Sequence, residues 1–600
     1  MCGIYGYFDR AGNTLPDDAL AAMDATLRHR GPDDSGSLRT AGAAVGNRRL
    51  AIIDLAGGHQ PFVSDDGCIA LVQNGEIYNH VELRAELTRA GVRFATDHSD
   101  TEVLLRLYER EGLAFLPRLN GMFAIAILDR RDPADPKLHL VRDRIGVKPL
   151  FVADDGQRLL FASEIKAILA AQRAQPVLDL AALAHYLTFN FVPPPATLFS
   201  GIAHLPPGSV MSISRSGART RRWWRLAEQT PQPQHFAAWQ EELLALLDDA
   251  VRLRLRADVP FGAFLSGGVD SSTVVALMRR HVREPVRTYC IGFADPRFDE
   301  SPHAREAAQR FGARHTERIV APDLLDGWEE ALWFCDQPHG DASFLPTREV
   351  ARLAAQDVKL VLTGDGGDEL FAGYDKYASF AADPARLALP AAAFARQYVE
   401  HTALFAAPLR ASLLQPWLRQ RLHEVDSVRD MAQPWFDEAA HLDRINQMLY
   451  LDMMLLLPGN NLVKPDRMGM SHSLEARTPL LDWRVMELAF RTPGEAKLAG
   501  GDKKHWFKRA VEPLIGADLA HRSKQMFTVP VGEWFRGPRR DWLARLLFSP
   551  EALGAQLFAP EVVRGLFDAH VAGSANHTRE LRALAALELW AQRFAPQVPR

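Results

Sequence analysis

The chain has 600 residues, of which 47% are hydrophobic and 24% are charged, a balance typical of a folded protein with more than one domain. Lys and Arg number 70 and Asp and Glu number 74, so the net charge is −4, and we expect neither nucleic acid nor an anionic membrane as a partner. The four cysteines form no C-x-x-C pair and no apolar run reaches the roughly 18 residues of a membrane span, which excludes a zinc ribbon and favours reduced thiols in a cytoplasmic protein.

A cysteine directly follows the initiator methionine. Removal of Met1 would leave Cys2 as the first residue, with an α-amine of pKa about 7.7–8.0 beside its own thiol. Such a residue combines a nucleophile with a general base that works near neutral pH. The competing interpretation is a small apolar residue that begins a strand. The stretch lacks the basic and apolar regions of a signal peptide, which agrees with a cytoplasmic location.

The segment that follows predicts sheets stacked between helices. Amphipathic patterns predict helices over residues 81–90 and 101–111. Short alternating apolar runs, typical of strands, cover residues 69–72, 123–128, 138–141 and 159–162. Many short strands with few helices indicate an α+β unit.

Polar motifs at residues 29–33, 49–54, 74–79 and 99–102 accompany these elements. With Cys2 they make residues 2–166 resemble the class II glutamine amidotransferase domain, an N-terminal-nucleophile fold with αββα layers. The resemblance implies that Cys2 attacks the glutamine amide while the Asn74 side chain and the Gly75 N–H stabilise the oxyanion. It assigns the glutamine pocket to Arg49, Ala51, Ile52, Ile53, Asn74, Gly75, Glu76 and Asp100. Arg49 and Asp100 would bind the α-carboxylate and the α-amine.

These residues also have structural interpretations. Arg49 and Asp100 could form a surface salt bridge, and Asn74-Gly75 could be a hairpin turn. Further along, prolines at 193–195, a basic run at 215–225 and a Pro- and Gln-rich run at 229–235 interrupt the pattern. We therefore expect an amidotransferase domain over residues 2–211, a linker over 212–236 and a second domain over 237–600.

The second domain contains a glycine-rich turn at residues 264–272, between an apolar run and a helical one. A strand, a turn and a helix N-terminus in succession direct unpaired N–H groups at one spot, which suits a bulky anion. The motif is not G-x-x-x-x-G-K-[ST]. It resembles the S-G-G-x-D-S pyrophosphate loop of the ATP pyrophosphatases, enzymes that release pyrophosphate and leave AMP on the substrate. An ordinary Gly-Ser turn is the alternative.

Strand and helix patterns then alternate, which predicts a doubly wound parallel sheet and an α/β domain with ligands at the carboxyl ends of its strands. The strands are expected at residues 260–265, 286–293, 315–320 and 358–362, and the helices at 239–256, 301–311, 323–333 and 347–355. After the last strand, residues 363–374 combine four glycines with three carboxylates. Such a loop suits a metal and a nucleotide because hard cations prefer carboxylate oxygens. A polar turn in which Asp368 caps a helix is the alternative.

Motifs at residues 461–482 and 503–509 complete a resemblance to the glutamine-hydrolysing asparagine synthetase family, with a C-terminal part that is largely helical. The resemblance implies that Asp270 and Asp368 bind Mg²⁺ and that Lys504 offsets charge on the leaving pyrophosphate. The phase of the Lys-His-x-x-(Lys/Arg) pattern favours Lys504, and the adjacent Lys503 is the alternative. A solvated lysine at a helix end is the alternative for Lys504. Asp365 would orient the intermediate or the ammonia. The nucleotide is assigned to Leu265, Ser266, Gly267, Gly268, Asp270, Ser271, Ile291, Gly292, Thr363, Gly364 and Asp365.

The implied reaction makes asparagine from aspartate, glutamine and ATP through β-aspartyl-AMP, releasing AMP, pyrophosphate and glutamate. Two departures from a well-known bacterial pattern leave the acceptor open: Asp365 stands where that pattern has Glu, and residues 336–343 differ at the start of the acceptor pocket, where Asp341 is an unexpected neighbour for an anionic acceptor. The alternatives are the same chemistry on another carboxylate, such as a sugar acid of a surface polysaccharide or a peptide, and a non-catalytic glutamine or nucleotide sensor. The sequence leaves a monomer or a homodimer open.

Overall fold

The structure is a computed structural model that describes residues 2–230, 236–341, 343–522 and 529–599. Within these ranges the N-terminal part forms two antiparallel sheets of six strands each. The first consists of β1 Cys2–Asp9, β2 Asp34–Thr40, β3 Ala43–Arg49, β8 Phe151–Asp154, β9 Arg158–Ala162 and β10 Ile202–His204, in the order β10-β8-β9-β1-β3-β2. The second consists of β4 Phe62–Val63, β5 Ile69–Ile77, β6 Gly121–Asp129, β7 Lys137–Arg142, β11 Ser209–Ser214 and β12 Gly217–Arg222, in the order β12-β11-β7-β6-β5-β4.

The two sheets pack against each other and each carries helices on its outer face. Strand β6 shows the arrangement, because successive side chains point to opposite faces of a sheet. Its Ala124 and Leu128 join the core between the sheets, whereas Phe123 and Ile127 join the core that contains Leu104 of a helix. The helices of this part are α1 Asp17–Thr26, α2 His80–Arg89, α3 Asp100–Glu111, α4 Ile165–Gln172 and α5 Leu180–Phe189. The predicted αββα sandwich is confirmed.

The C-terminal part is built on a parallel sheet of five strands. These are β13 Phe261–Phe264, β14 Arg287–Phe293, β15 Arg314–Val320, β16 Leu360–Leu362 and β17 Glu475–Arg477, in the order β15-β14-β13-β16-β17. The chain moves from β13 to β14 on one side and returns to β16 on the other side. The carboxyl ends of β13 and β16 therefore flank a switch point, the place where doubly wound folds bind ligands. The predicted α/β class of this domain is confirmed.

Helices and one short hairpin complete the C-terminal part. The hairpin is β18 Leu498–Ala499 with β19 Asp502–Lys503. The helices are α6 Phe236–Arg254, α7 Val269–His281, α8 Ser301–Arg310, α9 Trp328–Cys335, α10 Phe344–Ala354, α11 Gly367–Phe371, α12 Asp375–Ala381, α13 Pro384–Leu387, α14 Ala391–Thr402, α15 Ala407–Leu413, α16 Pro416–Arg421, α17 Gln433–Glu438, α18 Arg444–Leu451, α19 Trp483–Arg491, α20 Gly494–Lys497, α21 His505–Ile515, α22 Ala517–Ala520, α23 Val531–Arg536, α24 Arg540–Phe548, α25 Leu553–Leu557, α26 Pro560–Val571 and α27 Thr578–Phe594.

Some segments of the C-terminal part differ from regular α-helix for local reasons. The helix predicted over residues 323–333 begins as a 3₁₀ turn, Pro322–Gly327, and α9 starts only at Trp328, because Gly327 disfavours a continuous α-helix. The chain is π-helical over Asp452–Asn461 and Lys464–Met468, which contain Pro458 and Pro465. A proline has no N–H for the i−4 bond, so it displaces the regular pattern.

The connection between the two parts starts later than expected. Residues 212–222, which fall in the expected linker, complete β11 and form β12, so the second sheet runs through Arg222. The alternating small and basic residues of β12 pair with the edge of β11, although their charge did not predict a strand. The Pro- and Gln-rich run reaches residues 231–235, which lie outside the described residues. Among the described helices, none has both the length and the apolar character required for a bilayer span.

Candidate functional site

Strand pairing in the first sheet fixes the position of Cys2. Cys2 lies opposite Arg49 in the register of β1 and β3, and it is only 5% exposed. Its N–H donates to the Asn74 side-chain oxygen at 3.0 Å, and the Arg30 Nε donates to its carbonyl oxygen at 3.0 Å. Burial raises the pKa of the Cys2 thiol. The thiol is therefore held in place but needs a base before it can attack.

Asn74 and Gly75 lie inside β5, so the hairpin-turn interpretation is wrong. Gly75 has φ +146°, and a Cβ there would lie 2.0 Å from the Met122 carbonyl oxygen of the neighbouring strand. Only glycine fits such a close approach of two backbones. The Asn74 amide nitrogen donates to Ser163 Oγ at 3.4 Å. The pair is therefore immobilised next to Cys2 by main-chain geometry.

Arg49 and Asp100 are both buried, so the surface salt bridge is wrong as well. The Arg49 guanidinium donates to the carbonyl oxygens of Ile53 at 3.0 Å and Asp54 at 2.7 Å. This contact fixes the loop after β3 that contains the predicted pocket residues Ala51 and Ile52. Asp100 accepts from the Ile77 N–H at 3.0 Å and from Gln73 Nε2 at 3.1 Å, on either side of Asn74-Gly75.

Glu76 faces the other half of the molecule. Its carboxylate lies 3.4 Å from the Arg477 guanidinium at the end of β17. Burial and the neighbouring Glu475 carboxylate raise the pKa of Glu76. Glu76 thus connects the glutamine side to the sheet that carries the second site.

The glycine-rich turn and the loop after β16 open onto one cavity of about 920 Å³. Ser266 and Ser271 hydroxyls lie 3.2 Å apart at the start of α7. Ten of the predicted nucleotide and metal residues line the cavity: Leu265, Ser266, Gly268, Asp270, Ser271, Ile291, Thr363, Gly364, Asp365 and Asp368. Gly267 and Gly292 pack elsewhere, because a Cβ on Gly267 would meet His303 at 2.5 Å and one on Gly292 would meet Asp299 at 2.5 Å.

Lys504 brings the two predicted metal carboxylates together. Its ammonium contacts Asp270 and lies 2.8 Å from Asp368. Burial opposes the charge, but the two carboxylates raise the pKa of Lys504. Lys503 instead pairs with Asp375, whose side chain is exposed. The solvated interpretation of Lys504 is therefore wrong.

The carboxylates of Asp270 and Asp368 fit a Mg²⁺ ion. They converge on one cation position, and Mg²⁺ is commonly held by one or two carboxylates together with substrate phosphates. The helix-cap interpretation of Asp368 does not hold, because the N-cap of α11 is Gly366 and the Asp368 carboxylate points to Lys504.

Two further carboxylates that line the cavity, Asp365 and Asp341, belong to the stretches that the sequence connects with the acceptor. Asp365 accepts from Thr363 Oγ1 at 2.6 Å, and burial raises its pKa. Asp341 pairs with Lys464 at 2.9 Å, and both line the cavity. Arg582, from α27, also lines it. Sequence reasoning missed Lys464 and Arg582 as site residues: Lys464 lies within a quoted motif, whereas α27 carries no motif.

Between the two sites lies a buried cluster of charges that crosses from one part to the other. Arg30, whose Nε holds the Cys2 carbonyl, donates both guanidinium Nη groups to Asp466 at 3.0 and 3.1 Å. Although burial opposes the charge, Asp466 and Glu164 raise the pKa of Arg30. The further ion pairs of the cluster are Arg30–Glu164 3.0 Å, Lys148–Asp466 3.4 Å, Lys166–Asp336 2.8 Å and Arg467–Glu164 2.8 Å.

Arg30, Asp336, Asp466 and Arg467 lie in stretches singled out in the sequence, but sequence reasoning gave no residue of the cluster a role. The ion pairs join segments far apart in the chain, so no local pattern could have found them. Asp466 and Lys464 belong to the same π-helical segment. The segment therefore presents one charge to the Cys2 side and another to the nucleotide cavity.

Comparisons with known proteins agree with this geometry. The family model described as "Asparagine synthase" matches residues 242–592, and the one described as "Glutamine amidotransferase domain" matches residues 1–224. Glutamine-hydrolyzing asparagine synthetases 1 and 3 of Bacillus subtilis (strain 168) are 30% and 31% identical to the chain, over 98% and 89% of it and 96% and 89% of their own lengths. Glutamine-hydrolyzing asparagine synthetase 2 of Arabidopsis thaliana is 33% identical over 62% of the chain and 61% of its own length.

Proposed function

The chain belongs to the asparagine synthase family, and from that premise we propose that it is a ligase that makes asparagine from aspartate, glutamine and ATP. The observation that carries the proposal is the presence in one chain of a buried thiol beside Asn74-Gly75 and of a cavity in which Lys504 joins Asp270 and Asp368. The first arrangement suits amide cleavage, and the second suits transfer of an adenylyl group.

In the glutamine half, Cys2 acts after removal of Met1. Its amine accepts the thiol proton and passes it to the leaving nitrogen, while the sulfur attacks the amide carbon, so that a thioester forms and ammonia leaves. Water then hydrolyses the thioester, which releases glutamate and restores the thiol. The hydrogen bond from the Cys2 nitrogen to Asn74 orients this base. The Gly75 N–H and the Asn74 side chain stabilise the oxyanion. Arg49 and Asp100 bind the two charged ends of glutamine, within a pocket completed by Ala51, Ile52, Ile53 and Glu76.

In the synthetase half, the turn formed by Ser266, Gly267, Gly268, Asp270 and Ser271 holds the pyrophosphate of ATP. Leu265, Ile291, Thr363 and Gly364, which line the cavity, position the rest of the nucleotide. A Mg²⁺ ion on Asp270 and Asp368 would neutralise phosphate charge when bound. The Lys504 ammonium contacts both carboxylates, and it offsets the negative charge that develops on the departing pyrophosphate.

The acceptor carboxylate attacks the α-phosphorus of ATP, so that pyrophosphate leaves and an acyl-adenylate remains. Ammonia then attacks the acyl carbon, AMP leaves, and the nitrogen loses a proton. Asp365, whose pKa is raised by burial, orients the ammonia at this step. Its bond from Thr363 fixes the carboxylate toward the cavity.

Ammonia has to remain unprotonated between the sites, because ammonium is not a nucleophile. A small cavity of about 30 Å³ lies on the interface, with Arg142 and His204 on one side and Cys335 and Asp466 on the other. Burial and the charge of Arg142 lower the pKa of His204 well below its usual value, so its ring is neutral at pH 7 and donates no proton from an imidazolium. We place the ammonia route along this cavity.

The test is an assay of purified protein with glutamine, aspartate, ATP and Mg²⁺. Asparagine, glutamate, AMP and pyrophosphate should form in equal amounts. Cys2→Ala should lose synthesis from glutamine but keep synthesis from ammonium salts. Glutamate and AMP without asparagine would favour another carboxylate acceptor, and absence of both half-reactions would favour the sensor. The cytoplasmic location, the homodimer and the domain boundaries stay predictions.

A further inference from the structure

One part of the nucleotide cavity is lined by charges from three distant segments. Asp341 precedes α10, Lys464 begins a π-helical segment, and Arg582 lies in α27. Lys464 Nζ donates to Asp341 at 2.9 Å and to Ser343 Oγ at 3.1 Å. The Lys464 and Asp341 side chains keep 18% and 29% of their exposure although they are paired. Both groups are thus held in place and still accessible from the cavity.

Arg582 is held by one nitrogen and has the rest of its guanidinium at the cavity. Its Nε donates to the Gly340 carbonyl oxygen, next to Asp341. Among the described residues, this Nε bond is the hydrogen bond that Arg582 makes, and its two Nη groups form neither a hydrogen bond nor an ion pair. Two Nη groups in one plane form the fork that binds a carboxylate through paired hydrogen bonds. The residue is therefore aligned for a carboxylate that the protein itself does not supply.

Asp341 stays ionised beside this fork. Although burial favours the neutral acid, the charges of Lys464 and Arg582 hold the pKa of Asp341 well below its usual range. The wall thus presents a positive group, a negative group and a second positive group, from Lys464 through Asp341 to Arg582. An ammonium and a carboxylate on neighbouring atoms complement such alternating charge, whereas a simple carboxylate complements only its positive members.

We propose that Arg582 and Asp341 form the subsite that selects an α-amino acid as acceptor, Arg582 binding the α-carboxylate and Asp341 the α-ammonium. The subsite rests on the proposed function, for which it specifies the acceptor class. The subsite explains why a carboxylate, Asp341, lies near an anionic acceptor. Asp341 would repel an acceptor that has no ammonium group, but it can bind the α-ammonium of an amino acid. The second carboxylate of the acceptor remains for adenylation, whereas a sugar acid would bring no ammonium group to Asp341, which would keep only Lys464.

The first experiment removes one group at a time from the acceptor. Wild-type protein receives ATP, Mg²⁺ and an ammonium salt with aspartate, with β-alanine, which lacks the α-carboxylate, or with succinate, which lacks the ammonium. AMP release should show kcat/KM at least about 10-fold lower for both analogues, because buried charged groups lose their partners. Equal use of β-alanine and aspartate would overturn the Arg582 assignment, and equal use of succinate that of Asp341.

The second experiment combines these acceptors with variants. Arg582→Met should raise KM for aspartate about 10- to 100-fold with little change in kcat. It should leave kcat/KM for β-alanine unchanged, because that acceptor has no α-carboxylate to lose. Asp341→Asn should remove the preference for aspartate over succinate. The matched control is Arg593→Met on the same helix, whose side chain is 44% exposed over Trp333 and should behave like wild type.

The outcomes separate a binding role from a structural one. Equal losses with all three acceptors would mean that Arg582 only supports the fold, which overturns the proposal. Retained glutaminase activity and an unchanged Tm report that Arg582→Met folds, and Arg582→Lys, with about a 10-fold smaller effect on KM, serves if it does not. Absence of AMP release from wild type with every acceptor would overturn the proposed function and this subsite with it.

Discussion

The two sites of this molecule are constructed on opposite physical principles. Around Cys2, positions are set by strand register and by hydrogen bonds to main-chain groups, as in the bonds of Arg49 to carbonyl oxygens and of Asp100 to an N–H. Around Lys504, positions are set by charges that meet across a cavity, on loops that follow strands and on segments far away in the chain.

The difference follows from what each reaction requires. Amide cleavage needs one thiol and a few donors in fixed positions, which a strand supplies at low cost because its backbone is already ordered. Adenylation acts on the polyanion ATP and releases pyrophosphate, so it needs a positive side chain near the phosphates and a pair of carboxylates. One site should therefore be sensitive to backbone changes, and the other to changes of charge.

The largest expected effect tests the cluster that joins the sites. Arg30→Met would leave Glu164 and Asp466 with less compensation in a buried place, which should lower the free energy of unfolding by about 3–5 kcal/mol. Urea titration measures it. The same variant should also form less asparagine for each glutamate released, because Arg30 joins the Cys2 carbonyl to Asp466 of the other part.

The control is Arg131→Met, which breaks a pair with Asp129 in which the arginine is 46% exposed. It should cost less than about 1 kcal/mol. If Arg30→Met and Arg131→Met lowered the free energy of unfolding equally, the buried cluster would stabilise the fold no more than an exposed ion pair does.

The next effect tests the charged site. Lys504→Met should reduce asparagine formation from glutamine and from ammonium about 100- to 1,000-fold, because the pyrophosphate loses its counter-charge. Glutaminase activity should remain. Lys503→Met, at the adjacent position but paired with exposed Asp375, should change synthesis less than about 2-fold. Steady-state rates with both nitrogen donors measure it, and equal effects at the two lysines would contradict the assignment.

The third effect tests the site set by backbone. Gly75→Ala places a Cβ 2.0 Å from the Met122 carbonyl oxygen, so the strands must separate and move the oxyanion N–H. Glutaminase activity should fall about 100-fold while ammonium-dependent synthesis persists.

Gly91→Ala is the matched control, since Gly91 also has a positive φ, +83°, but a Cβ there has no neighbour within 4 Å among the described residues. It should cost about 1 kcal/mol of stability and leave glutaminase activity intact. Equal loss of activity in both variants would remove the argument from close packing at Gly75.

The same division explains what could be predicted from the sequence. The stacked sheets and the parallel sheet follow from apolar periodicity, whereas the αββα layering was implied by the family resemblance. Cys2, Asn74 and Asp100 belong to motifs that are local in the chain. Arg582 could not be predicted, because its meeting with Asp341 depends on how α27 packs. The strand β12 was missed because pairing with β11, not its own composition, makes it a strand.

The smallest effect concerns a buried lysine that, within the described part of the chain, forms no ion pair with a carboxylate. Lys497 is fully buried and donates to Asn446 Oδ1 at 2.7 Å, and burial lowers its pKa to about 7. The unfolded chain, with an ordinary pKa near 10.4, binds more protons than the folded one between these values. Stability should therefore rise with pH from about 7 to 10, by at most roughly 1.4 kcal/mol per pH unit.

Lys497→Met should remove that slope and raise stability most at pH 7, because the cost of burying a charge disappears there. Lys508→Met, which changes a lysine paired with Asp502 near the surface, should keep the slope. Urea titrations at pH 7, 8, 9 and 10 measure it for all three proteins. Within the described residues, Lys504 contacts two carboxylates, whereas Lys497 donates to an amide oxygen. If Lys497→Met kept the pH slope of stability, the charge state of Lys497 would not depend on its lack of a carboxylate. The contrast with Lys504 would then not explain why the nucleotide cavity keeps a charged lysine.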